Sequence, residues 1–459
     1  VASSARLEMY LNRKGLHFDE IPLAPGDGFE VAVMHCGRAL EQVVRATLLI
    51  DASGVLMAVH PFDTVLDTEA VHALTGRRLQ PLTARQADRL FSDCDSGFHP
   101  PVGGAYGVPV IVDDRVLSQP RVLMTGGSAG ALIEMDGRAL RLALAGARSA
   151  HLVLNGSGQA PGNGQQVVTL EEVAEQLQKL YRLPPMPALA LRILRLTSNT
   201  DATARELADL IEFDPSMTAQ IMRYARSALF NYPGQIDSVQ DAVTRVLGFD
   251  RVAHIALGIA SVRAFDVPRG GMLGMDEFWR HSLYCAFLCQ KMAGKCNADK
   301  GLAYLCGLLH NFGLLLIGHL FPAEYQQLGV LREANPEHSM RSLERQVFGN
   351  DQGQELMVVG HGAIGGILHK LWQLPDAVVK SAGVHQQEDY HGEHESYVLM
   401  VQLANELLKE KGIGDEFNLR SPADQAGRLG LSDNDLDQLR EAVDTVSEDL
   451  DALARSLTS

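Results

Sequence analysis

Residues 301–321, GLAYLCGLLHNFGLLLIGHLF, run for 21 positions without a formal charge. An apolar stretch of about 20 residues is long enough to cross a bilayer as a helix. His310, Asn311 and His319 would each have to be desolvated in lipid, and four glycines weaken the helix. The stretch is therefore expected to be a buried central helix, covered on all sides by other parts of the fold. The opening VASSARLEMYLNRKGL has no apolar core of the kind a secretory leader needs. A cytoplasmic protein without a membrane partner is the expectation.

The clearest boundary is NGSGQAPGNGQQ, residues 155–166, whose Gly, Gln and Asn content reads as a flexible linker. Before it, VVRATLLI (43–50), the turn DASG and VLMAVH have the pattern of a hairpin. TEAVHALTG and TARQADRLF read as short helices, the second opened by Thr83, and VPVIVDD and RVLMTGG read as strands. After the linker the apolar spacing becomes three and four. Thr169, Leu170, Glu171 and Glu172 form a capping-box pattern, followed by PALALRILRLTS, ARELADLIEFD, SMTAQIMRYARSAL and VQDAVTRVLG. Ser432 to Asp435 caps a terminal helix running towards Leu457. The expected division is an α+β domain over 1–150, a linker over 151–168, an all-α domain over 169–412 and a helical extension over 413–459.

Formal net charge is −16. Residues 1–150 carry 14 basic against 17 acidic side chains, and the remainder carries 26 against 39. Neither half has the bulk basic charge with which a protein grips nucleic-acid phosphates. The six cysteines, Cys36, Cys94, Cys285, Cys289, Cys296 and Cys306, show no CxxC pair, which fits reduced thiols. Cys285 and Cys289, one helical turn apart, read as small apolar core residues in preference to two ligands facing one metal.

From LPPMPALALRILRLTSNTDATARELADLIEFDPSMTAQIMRYARSALF and SVQDAVTRVLGFDRV onwards, the second half resembles the HDOD domain, the HD-related output domain of bacterial signalling proteins. The resemblance continues through FWRHSLYCAFLCQKMA, AYLCGLLHNFGLLLI, HGAIGGILHKLWQLPDAVVKSAGVHQ and VQLANELL, over about residues 170–410. It implies an all-helical fold and a relation to HD phosphohydrolases. Those enzymes hold one or two metal ions with a His, a His-Asp pair and a distant Asp. Carried over, His281 matches the first His and His310 with Asn311 matches the pair. His361 and His385 match further histidines, Gln386 stands where another would be, and Asn405 matches the final Asp. Asn is neutral and a weaker ligand for hard ions than Asp. No cofactor is expected, and if an ion binds, a transition metal at His281, His310, His361 and His385 is the form it would take. Four core histidines bonded to neighbours or water are the preferred reading.

In the first half, FSDCDSGFHPPVGGAYGVPVIVDDRVL and MTGGSAGALIEMDGRAL resemble the YbaK-type aminoacyl-tRNA deacylases, over about residues 1–145. The resemblance implies a mixed sheet with flanking helices. It rests on Gly97, Pro100 and Pro101, on Val112-Asp113, and on Gly126, Gly127 and Ser128. These enzymes commonly use a lysine at the start of a central strand; the matching position is Arg45, and Lys14 is the only lysine before residue 150. Arg45 keeps the charge and could hold a phosphate or hydroxyl, but it does not give up a proton at working pH. Gly126-Gly127-Ser128-Ala129-Gly130 also fits a nucleophile elbow, with Asp136 and His151 downstream, yet the ALIEMDG that follows is too short for the required helix. A glycine turn is the better reading. Cys94 with nearby His99 would suggest a thiol nucleophile, but nearness in sequence says little about nearness in space.

The expectation is a regulatory protein: a non-catalytic HDOD domain that meets a protein partner, joined to an impaired deacylase-like domain that binds aminoacyl-tRNA or a small ligand. The alternatives are an aminoacyl-tRNA deacylase regulated by its HDOD half and, behind it, a metal-dependent phosphodiesterase.

Overall fold

In the computed structural model, residues 3–22, 33, 39–154, 170–227, 230, 232–268, 270, 271, 273–349 and 359–458 are described. The expected linker 155–166, Cys36, and Thr169 with the capping box it would open lie outside the described residues. The chain forms two compact units. The first comprises Val1–Ala160 together with Val330–His338, and the second comprises Pro161–Gly329 and Ser339–Ser459. Nothing in the sequence sets residues 330–338 apart from the helices around them.

The first unit is α+β. Its strands are β1 (Asp19–Pro22), β2 (Val44–Asp51), β3 (Gly54–Pro61), β4 (Gln80–Pro81), β5 (Val110–Asp113), β6 (Arg121–Thr125), β7 (Ala131–Asp136) and β8 (Arg148–Ala150). They make a three-stranded sheet, β1-β7-β6, and a five-stranded mixed sheet, β4-β2-β3-β5-β8. The β2–β3 hairpin pairs Val44 with Pro61 through to Asp51 with Gly54, while β3–β5 and β5–β8 are parallel. Asp51 Oδ1 accepts the Ser53 amide at 2.7 Å, and Gly54 supplies the positive φ that the turn needs. Alternation along β2 sends Val44 and Leu48 into one core with Met57 and Val59, and Leu49 into another with Leu56 and Ala58. Thr83 opens the helix Ala84–Leu90 with a complete capping box. The buried carboxylate of Asp113 accepts the Arg115 and Leu152 amides, so the Val-Asp motif ends β5 and ties down the chain beyond β8.

The second unit is helical. Its central helix, Met275–Lys295, packs against Lys300–Leu309, Glu395–Lys409 and Asp433–Thr458. The last of these opens on a reciprocal cap: Ser432 Oγ accepts the Asp435 amide and Asp435 Oδ2 accepts that of Ser432. The stretch Lys300–Leu320 is the one among the described residues apolar and long enough to cross a membrane, and 89% of its 18-residue apolar window is buried. It is two helices rather than one, Lys300–Leu309 and Phe312–Leu320, with the break at His310 and Asn311. His310 Nδ1 takes the Gly307 carbonyl at 2.7 Å, where it competes with the backbone ladder. Glycines on either side set the packing. A Cβ on Gly307 would come within 2.7 Å of the Ala286 backbone, and one on Gly313 would overlap the His361 carbonyl. VQDAVTRVLG departs from the expected regular helix by becoming π-helical over Ala242–Leu247, a pattern its apolar spacing does not announce.

Because Gly313 leaves no room for a methyl group, Gly313→Ala is expected to destabilise the protein by about 1–3 kcal/mol, the usual range for overpacking. Urea denaturation of the variant against the wild type checks this.

Candidate functional site

The residues that carried the deacylase resemblance fall into two groups on opposite faces of β2. The glycine loops come together. Gly126 O accepts the Ser4 amide at 2.8 Å, Gly127 O accepts the Asp95 amide at 2.9 Å, and Asp95 Oδ2 accepts that of Ala129 at 2.8 Å. Gly127 has φ +104, and a Cβ there would sit 2.9 Å from Cys94 Sγ. Ser128 Oγ accepts the Gly130 amide, and β7 follows at once, so Gly-x-Ser-x-Gly is a turn between antiparallel strands. Gly97 is exposed with φ +81, and Pro100 and Pro101 are buried beside Val102 of the larger core. Cys94 contacts Tyr106 Oη at 3.3 Å, whereas His99 pairs with Asp88 at 2.9 Å. The suspected thiol–imidazole pair is thus two separate contacts.

Arg45 lies on the other face of β2, opposite His60 in register and alongside Thr47. There it meets residues 330–338. Its guanidinium pairs with Glu337, with the two side chains only 11% and 6% exposed. Thr47 Oγ1 donates to the Ala334 carbonyl at 3.1 Å, and Asn335 Oδ1 accepts the Leu66 amide at 2.9 Å. His338 Nε2 lies 3.3 Å from the Thr64 carbonyl and 3.3 Å from Glu337 Oε1. Burial, then the charge of Arg45, hold His60 well below its ordinary range and bring His338 down to about 4.

Two outcomes follow from this cluster. Glu337→Ala removes the buried carboxylate that pairs with Arg45 and is expected to cost about 3 kcal/mol in denaturant titration, largely recovered by adding Arg45→Met. His338 must stay neutral in the fold, so its contribution is full above about pH 6.5 and is lost as pH falls towards 4. Melting temperatures measured across that window should fall less steeply in His338→Gln than in wild type.

The second unit brings together all seven residues that carried the HD resemblance. His281 sits within the central helix; His310 and Asn311 occupy the helix break; His361 begins the helix His361–Leu371; His385 follows Asp376–Val384; and Asn405 lies on Glu395–Lys409. Ring centroids are 4.9 Å apart for His281–His310, 5.1 Å for His310–His385 and 5.2 Å for His361–His385. In one half of the cluster the amides make a directed chain. Asn311 Nδ2 donates to His281 Nδ1 at 3.1 Å, His281 Nε2 donates to Asn405 Oδ1 at 2.9 Å, and Asn405 Nδ2 reaches His310 Nε2 at 3.4 Å. His310 Nδ1 then donates to Gly307 O. Both nitrogens of His281 are engaged. Burial pushes His281 and His310 below their ordinary range, so the chain is built from neutral rings.

The other half holds two acids that sequence reasoning missed. Glu344, fully buried, accepts the His361 amide with its carboxylate and lies 2.6 Å from His361 Nδ1, so it caps that helix and fixes the ring. Asp415 Oδ2 is 3.4 Å from His361 Nε2, which is itself 3.2 Å from His385 Nε2. Gln386 Oε1 accepts the Gly362 amide at 3.1 Å. Burial alone would raise Asp415, but the surrounding imidazoles, His361 foremost, hold it below the usual carboxylate range. Burial would likewise lower His361, yet the charge of Glu344 and its hydrogen bond, with Asp415, raise it. His385 is brought down to about 3, by burial first and by His361 next. The sequence offers one clue to Asp415: Gly412 and Gly414, both at positive φ, turn the chain back after the helix and present it. Glu344 looks like any acid on an amphipathic helix. A cavity of about 420 Å³ reaches this half, lined among others by Arg341, His385, Asn405, Lys409 and Asp415. Cys285 and Cys289 are buried core residues of the central helix.

Residues 183–388 match the family described as the HDOD domain, and residues 24–142 match the aminoacyl-tRNA editing domain. The chain joins an editing-type domain to an HDOD domain. A candidate signal transduction protein from Marinobacter aquaeolei VT8, known from its crystal structure, is 25% identical and covers 99% of both chains, with a TM-score of 0.80. An HDOD domain protein of unknown function from Geobacter sulfurreducens is 24% identical over 63% of this chain and 97% of its own, with a TM-score of 0.51, and shares the fold. An uncharacterised protein of Treponema pallidum is 23% identical over 248 residues; the match spans 53% of this chain and 45% of the relative's length. Asn405 and Asp415 both lie beyond the HDOD match.

Proposed function

We propose that the chain is a regulatory protein in which the HDOD domain is a non-catalytic signalling module and the editing-type domain binds a ligand without hydrolysing it. The observation that carries the reading is the chain Asn311–His281–Asn405–His310. Where HD enzymes place two acids, this chain has two amides whose hydrogen bonds satisfy His281 completely. A ring with no free lone pair does not hold the hydrolytic metal pair, and no acid at these positions helps deprotonate a bound water. The likeness to the Marinobacter protein over nearly the whole of both chains supports a signalling role. Signalling needs two packings with different affinities for a ligand or partner. The cluster joins helix ends from several parts of the unit, so a ligand in the adjoining cavity would act on all of them at once. In the editing-type domain, the guanidinium of Arg45 is neutralised by Glu337 and lies on a different face of β2 from the glycine loops.

The second reading, an aminoacyl-tRNA deacylase governed by the HDOD half, draws on the joined loops at Gly97 and Gly126–Ser128. One experiment separates the two. Purified full-length protein is incubated with a panel of mischarged tRNAs and, separately, with cyclic dinucleotides and simple phosphodiesters. No release above background is expected from any of them. Amino-acid release that disappears in Arg45→Ala would establish the deacylase instead, and metal-dependent phosphodiester cleavage would overturn the signalling reading of the HDOD domain.

A further inference from the structure

We propose that His361, His385 and Asp415 form a mononuclear site for a divalent transition ion of the zinc class. His361 and His385 are shared with the set the HD resemblance implies, but Asp415 is not part of that set, and His281 and His310 take no part here. His361 gives its Nδ1 hydrogen to Glu344 at 2.6 Å, and His385 gives its own to the Ala382 carbonyl at 2.8 Å. A neutral imidazole has one ring hydrogen, so each Nε2 then presents a bare lone pair. Those lone pairs face each other at 3.2 Å, with Asp415 Oδ2 at 3.4 Å from the first. Three acceptors turned towards one another in a buried space call for a cation between them. Ligand atoms around tetrahedral zinc, with bonds of about 2.0–2.1 Å, stand about 3.3 Å from one another. Both separations match that edge, and ligand atoms of all three residues lie within 4.8 Å of each other.

The donor set selects the ion. Two imidazoles and one carboxylate suit zinc, cobalt or nickel, whereas magnesium and calcium favour all-oxygen shells. Glu344 behind His361 is the outer carboxylate that metal-bound histidines commonly have, and it is a positioning residue rather than a ligand. The cavity touching His385 and Asp415 supplies an entry path and room for an exchangeable fourth ligand. The three ligands come from a helix start, a helix end and a turn, so a bound ion would fasten three segments together.

The test uses the full chain, stripped with a chelator and titrated with cobalt(II) while absorption and heat are followed. The expected result is one ion per chain with the intense visible bands of four-coordinate cobalt, displaced by zinc, and a melting temperature that rises with zinc. His385→Ala and Asp415→Asn should abolish uptake, and Glu344→Gln should weaken it about 10–100-fold. Circular dichroism confirms that each variant is folded. A stripped wild type that takes up no cobalt or zinc overturns the proposal and leaves a proton on His361 as the occupant; so does uptake that folded His385→Ala and Asp415→Asn variants retain. If those variants fail to fold, the wild-type cobalt spectrum decides alone. Neither failure bears on the signalling reading, which the hydrolysis assays decide.

Discussion

A carboxylate removed from water has to be met by positive charge or by several donors, and at Asp415 that requirement organises the heart of the second unit. The acid is buried, and His361, the imidazole of the cluster that neighbouring acids hold above its ordinary range, lies 3.4 Å from it. Much of the local backbone serves this arrangement. Gly412 and Gly414 adopt conformations that other residues rarely take, and so turn the chain back from Glu395–Lys409. The break between the two helices falls at His310 and Asn311, and both side chains are buried in the cluster. Lys409, also buried, is matched by Glu406 and Glu416, so the charges next to this centre are paired too.

The cluster divides into a neutral half and a charged half. Asn311 and Asn405 make the first a chain of hydrogen bonds with a fixed direction, each ring giving with one nitrogen and receiving with the other. Glu344 and Asp415 give the second half two buried carboxylates, one on each nitrogen of His361. The two amides therefore do more than remove charge. They set the tautomers of His281 and His310, and leave the acid–base balance to residues outside the inherited pattern.

Much of the fold could be read from the sequence because it rests on local rules. The β2–β3 hairpin, the Thr83 cap, the Ser432 cap and the change from alternating to helical spacing each involve residues near in the chain, where propensity and pattern act directly. The histidines were legible because a family pattern placed them in order. Glu344 and Asp415 were not, since burial of an acid depends on contacts 17 residues away in the chain for the first and 54 for the second, counted to His361. The break in the uncharged run was hidden for a similar reason. Gly307 and Gly313 read as helix-weakening residues, while their use is to let other backbone segments approach closely. Arg45 was seen as a substitution, but its partner, Glu337, lies in sequence that belongs by pattern to the helical half.

That last arrangement bears on how such a protein can be taken apart. Because Val330–His338 completes the first unit, the chain enters that unit twice, and no single cut separates the two halves into whole pieces. A fragment ending at the glycine-rich stretch would lack Glu337, Asn335 and the Ala334 carbonyl, and with them the buried ion pair of Arg45, the acceptor of the Leu66 amide and one hydrogen bond of Thr47.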